Sequence, residues 1–151
     1  MNRLVAVILL GLAISSRAQV DHEAYVSATI ADATTNMGID PDAQYNFDSA
    51  HSRYLIKAKY TGQHRQLAAP IQNYLAKWVA AFRHPTSYLE LFPFEVAIEQ
   101  DGRSYWMPLQ KSLVEAFADE VADGATVKLY VTAIGAWEQE PIFVINAFDA
   151  R

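Results

Sequence analysis

The sequence predicts a mainly β, α+β domain of five strands and two helices. Three observations carry this. Apolar residues alternate with others over 53–62, 94–99 and 126–134, the period-two signature of half-buried strands. Asp101-Gly102 stands between two extended runs, as a two-residue hairpin turn requires, because both central positions take φ > 0. Two sets of apolar residues recur at spacings of three and four, Ile71, Leu75, Trp78, Phe82 and Leu113, Val114, Phe117, Val121, each marking the buried stripe of a helix.

Residues 1–18 precede this fold. Met1-Asn2-Arg3 is a short basic start, and Leu4 to Ile14 is an apolar run too short to span a bilayer comfortably. Ser16-Arg17-Ala18 puts small residues at the −3 and −1 positions of a cleavage site after Ala18. This is the pattern of a secretory signal peptide, so a secreted or periplasmic location is expected, with no stable membrane insertion after cleavage. No cysteine is present to carry a lipid or form a disulfide. The remaining chain, 19–151, suits one domain. Losing Arg3 and Arg17 leaves 10 basic residues against 17 acidic, a net charge of −7 with neutral histidine. Such a chain repels polyanions, so nucleic acid is not an expected partner, and a neutral or cationic protein or small ligand is.

The elements follow in order. Segment 19–50 is an extension: Val20 to Thr35 has weak helical spacing, and Asn36 to Ala50, with Gly38, Pro41 and three aspartates, reads as a loop. Asp40-Pro41-Asp42 with Asp48 supplies oxygen ligands but no helix-loop-helix frame and no closing glutamate, which argues against a calcium loop. The domain proper is 51–151. Arg53 to Gly62 is the first strand, with Tyr54, Ile56, Ala58 and Tyr60 on one face and lysines on the other. Gln63 to Ala69 is a connection, Pro70 opens a helix that runs to Phe82, and His84-Pro85-Thr86-Ser87 stops it. The Asp101-Gly102 turn pairs Ile98 with Tyr105, Val96 with Met107 and Phe94 with Leu109 on a core face, and Ala97 with Trp106 on the other. Gln110 to Ala122 is the second helix, ended by Gly124. Thr126 to Ile134 and Ile142 to Phe148 form the second hairpin, joined by a loop over Gly135 to Pro141. The last strand is nearly all apolar and is expected to be covered on both faces.

Five strands with a helix between the third and fourth resemble the OB-fold, a partly open Greek-key barrel, here with an extra helix between strands one and two. The likeness rests on element order over 53–148. By that order the chain resembles a secreted bacterial protein of OB-like build, and the resemblance implies that the second and third strands form a recognition surface. An open sheet with both helices on one face accommodates the same order.

Catalytic signatures are absent from the sequence: there is no thiol, no G-x-S-x-G and no H-E-x-x-H. His22, His51, His64 and His84 are far apart along the chain, and no metal or cofactor is expected. Glu95 and Glu99 share a strand face about 13 Å apart, from a rise of roughly 3.3 Å per residue, which is too far for a glycosidase pair. They are expected to be solvated. The expected ligand-binding residues are His64 and Arg65 in the first connection, Arg103 and Trp106 on the second strand pair, and Trp137 in an acidic loop with Glu138 and Glu140. Trp106 alternatively lies covered by 19–50 or by the helix 70–82. The function expected is a secreted or periplasmic non-enzymatic binding module. The alternatives are a secreted hydrolase, metal-assisted or not, and an envelope structural or assembly subunit.

Overall fold

The computed structural model describes residues 21–151. The expected secretory leader, 1–18, lies outside them. The described chain is mixed α/β, with seven strands in one sheet: β1 (Val26–Ser27), β2 (Tyr45–Phe47), β3 (Arg53–Gln66), β4 (Phe94–Gln100), β5 (Arg103–Leu109), β6 (Thr126–Trp137) and β7 (Glu140–Asp149). The helices are α1 (Ile30–Asn36), α2 (Ala69–Ala81) and α3 (Val114–Glu120), with 3-10 turns at His22–Ala24, Thr86–Leu91 and Lys111–Leu113. None is long and apolar enough to cross a membrane.

The sheet order is β1-β3-β4-β5-β7-β6-β2, and β3 also pairs with β6. The pairings therefore run β3–β4–β5–β7–β6 and return to β3; all are antiparallel except β5–β7. The two strands beyond the five expected both come from the N-terminal segment. β1 lies parallel to β3, and β2 lies antiparallel to β6 within the stretch expected to be loop.

The β4–β5 register is the one the Asp-Gly turn dictates, including Ile98 opposite Tyr105 and Ala97 opposite Trp106. Asp101 and Gly102 take φ of 53° and 77°. Three boundaries differ from expectation. Strand β3 does not end at Gly62 but continues to Gln66 through a bulge. From Tyr60 to His64 it carries two more residues than its partner, so parity is kept, and Arg65 shares the outer face with Glu95. The loop over 135–141 is mostly strand: β6 reaches Trp137, and Glu138-Gln139 make the turn at φ of 47° and 69°. The second helix is shorter than expected, a 3-10 turn followed by Val114–Glu120.

Two apolar clusters result. One is enclosed by the inner faces of the strands and holds Ile56, Ile98, Met107, Leu129 and Phe148, with Phe117 and Val121 from the α3 region. Ile30 and Ala33 of α1 enter it, which explains why a seven-residue helix of poor propensity forms: packing supplies what local sequence lacks. The other lies between α2 and the outer faces of β6 and β7, where Tyr74, Leu75, Trp78 and Val79 meet Ile134, Ile142 and Val144. Gly135 permits this packing. With φ at +141°, a Cβ there would lie 1.9 Å from Asn46 O and 2.2 Å from the Tyr74 hydroxyl.

Candidate functional site

A cleft of about 770 Å³ opens beside α2, on the outer face of β6 and β7. Its floor follows from strand alternation. Val131 and Ala133 face the enclosed cluster, so Thr132 and Ile134 face out. On β7 the register passes from Ala147 opposite Tyr130 to Ile145 opposite Val131, leaving Asn146 as the extra residue of a bulge. A bulge re-aims its side chain. Asn146 Nδ2 donates to Thr132 Oγ1 at 2.7 Å, and Gln110 Nε2 donates to Asn146 Oδ1 at 3.2 Å. Arg53 stands directly across from Thr132 on β3. A polar row thus crosses the floor: Arg53, Thr132, Asn146, Gln110.

One wall is aromatic. His84 stacks on Tyr88 at 5.0 Å between ring centroids and 21° between planes, and lies 4.6 Å from Trp78. His51 meets Trp78 edge-on at 5.8 Å, and the two histidine rings are 6.3 Å apart. The end of α2 builds this wall. Arg83 takes a left-handed φ of 55°, its N–H donates to Ala80 O, and the His84 N–H donates back to Val79 O, the pattern of a Schellman stop. Pro85 then bars any helical continuation. His51 also has positive φ, 47°. Of the five such non-glycine residues described, Asp101, Glu138 and Gln139 sit in hairpin turns; the other two hold the aromatic wall. Trp78 Nε1 and His51 Nε2 are enclosed with no hydrogen-bond partner, so ring packing alone sets these two orientations. The opposite wall carries Lys111, Ser112 and Glu115.

Chemically the cleft offers stacking faces, the uncharged hydrogen-bonding groups of Thr132, Asn146 and Gln110, and the charges of Arg53, Lys111 and Glu115. Neither Ser87 nor Ser112 is hydrogen-bonded to a histidine, and among the described residues no three acidic or histidine side chains gather as metal ligands.

None of the five residues expected to bind ligand lines this cleft. His64 and Arg65 lie on β3, opposite Val96 and Glu95, and not in a connection. The Arg65 guanidinium covers Trp106 at 3.8 Å from the ring centroid, and its Nε donates to Glu95 Oε1 at 2.5 Å. These two residues, expected to line a ligand groove, meet each other over a buried carboxylate. Glu95, expected to be solvated, is 0 % exposed, because the extended β3 lays Arg65 across it and Ala68 N donates to the same oxygen at 3.3 Å. Trp106 is half-buried. Arg103 is a separate feature: both Glu140 carboxylate oxygens accept from its Nη2 at 2.9 Å, closing the β4–β5 turn onto the β6–β7 turn. Trp137, expected in an exposed loop, is a strand residue packed against the α2 cluster.

The cleft residues that sequence reasoning missed are His51, Trp78, His84, Tyr88, Gln110, Thr132 and Asn146. One signal was readable: Asn146 is the lone polar residue inside the apolar run Ile142 to Phe148. The two histidines carried no signal, since only the fold brings 51 beside 84.

No protein-family model matches this sequence, and no curated protein matches it either.

Proposed function

We propose that this chain is a secreted, non-enzymatic binding module of OB-like build that takes a small ring-bearing ligand between α2 and the β6–β7 face. The barrel reading is supported by the pairing cycle that returns from β6 to β3, with β5–β7 as its one parallel step. Secretion is supported by the basic, apolar and small-residue pattern of 1–18. Binding is carried by one observation: a wall of stacked rings beside a hydrogen-bonded polar row in one cleft of about 770 Å³. A site of this size, mostly apolar with few placed polar groups, is the usual form of a small-molecule pocket. The Arg65–Trp106 stack is read as a clamp over Glu95, since its carboxylate is wholly enclosed.

A screen of ring-bearing fragments such as indole, benzamide and phenol by ligand-observed NMR tests this. Tyr88→Ala is expected to weaken the hits at least tenfold, and Trp106→Ala to leave them unchanged. Hits that survive Tyr88→Ala but vanish with Trp106→Ala move the site to the β4–β5 face and sink the assignment.

A further inference from the structure

We infer that the cleft takes a neutral oligosaccharide of two or three rings, laid along the polar row; this rests on the binding reading above. The row sets the length. It steps from Arg53 on β3 to Thr132 on β6, to Asn146 on β7, to Gln110 just past β5. Three steps at the strand spacing of about 4.8 Å make roughly 14 Å, a track for a short chain of rings.

The hydrogen-bond direction sets the chemistry. Gln110 donates to Asn146, and Asn146 donates to Thr132. This leaves the Gln110 Oε1 acceptor, the second N–H of each amide and the Thr132 hydroxyl proton for a ligand. Hydroxyl groups, each both donor and acceptor, match such a mixed row along its whole length. The Tyr88 ring, backed by His84, which itself lies against Trp78, supplies an apolar face on which the C–H face of a sugar can lie.

Other classes fit less well. A peptide adding as a strand would find little free edge beside the row, because Arg53 and Thr132 lie in the β3–β6 ladder and β7 is joined to β6 on one side and to β5 at Ile145 on the other. A nucleotide brings phosphate to a protein of net charge −7 after leader removal, and an acidic sugar meets the same field. Within the cleft, Lys111 and Glu115 cancel in net charge, which leaves Arg53, at one end of the row and 5.9 Å from the Tyr25 ring, as the one positive centre among the described residues that an acidic ring could meet there.

Calorimetry on the leader-free chain with chitotriose, cellotriose, maltotriose and mannotriose tests the inference. At least one is expected to bind, and Thr132→Val and Asn146→Ala are each expected to weaken it at least tenfold. Thr132→Val keeps shape on an outward position and guards against an Asn146 variant that fails to fold. An unchanged urea midpoint in each variant shows that it is folded. If indole binds and all four trisaccharides fail, the glycan inference falls while the cleft reading stands. If neither binds, both fall. If trigalacturonate binds and Arg53→Ala abolishes it, with the neutral sugars inert, the ligand is acidic and the inference is overturned.

Discussion

Glu95 shows how a side chain's role is set by what lies across from it. One carboxylate oxygen accepts from Arg65 Nε and Ala68 N; the other is enclosed and unpartnered. Taking Arg65 away leaves a buried carboxylate with a single backbone donor. Arg65→Ala is expected to lower stability by about 2–3 kcal/mol in urea unfolding, less than a fully enclosed pair would lose, because the Arg65 side chain is 45 % exposed. Glu95→Gln in the Arg65→Ala background is expected to recover much of that loss, since a neutral amide is cheaper to enclose than a charge. An equal loss in single and double variants would show that packing on Trp106, not charge, is what Arg65 supplies. Tyr74 is the matching case beneath α2. Its hydroxyl lies 2.7 Å from Asn46 O and 2.9 Å from Ile134 O, tying helix, β2 and β6 together. Tyr74→Phe removes both contacts while Ile134 O keeps the Asp48 N–H as donor, and is expected to cost about 1 kcal/mol.

At the scale of elements, the two hairpin turns form a natural comparison. Both take positive φ at both central residues, one with Asp-Gly and the other with Glu138-Gln139. Side chains bearing Cβ pay a steric penalty there that glycine does not. Replacing Glu138-Gln139 by Asn-Gly is expected to raise the urea midpoint by an amount worth about 0.5–1 kcal/mol; the exposed Gln139 Nε2 bond to Pro41 O is all it forfeits. Gly135→Ala is the opposite experiment. The added carbon has no room between Asn46 O and the Tyr74 hydroxyl, and a loss on the order of 3 kcal/mol or failure to fold is expected. A neutral outcome would mean that β2 is not docked on β6 as described.

At the scale of the whole molecule, three buried tyrosines make stability depend on alkaline pH. Burial, then a neighbouring carboxylate, raises the hydroxyl pKa of Tyr60 (Asp123), Tyr74 (Asp48) and Tyr130 (Asp149) above the ordinary value of 10.0. The folded state therefore holds protons that the unfolded chain releases above about pH 10. Stability is intact below that pH and falls as pH rises beyond it. Tyr74→Phe is expected to flatten the fall in urea midpoints measured from pH 8 to 11; an unchanged slope would place its hydroxyl in contact with solvent. Hydrogen exchange should follow the pairing cycle. Amides in the β3–β6 ladder, Arg53 to Lys59 against Thr126 to Thr132, are expected to exchange slowest, and those of β1 and β2, two and three residues long at the sheet's edges, to open first.

Local chemistry alone determined much of this protein. The Asp101-Gly102 turn set every pairing of β4 with β5, because its two residues allow one register, and the alternation in β3 and β6 chose their inner faces. The apolar stripes marked α2 and the buried side of α3. What local pattern does not contain is what each outer face meets. Gly62 reads as a strand end but is a bulge, so Arg65 lands on Glu95 instead of facing a ligand. Glu138-Gln139 carry no turn signal, so Trp137 is drawn into a packed strand. The cleft itself joins residues from 51 to 146, and no period or spacing in one dimension records that His51, His84 and Asn146 share a wall and a floor. Tertiary structure decided it, because a sheet in which β6 pairs back to β3 brings together faces whose residues are nearly a hundred positions apart.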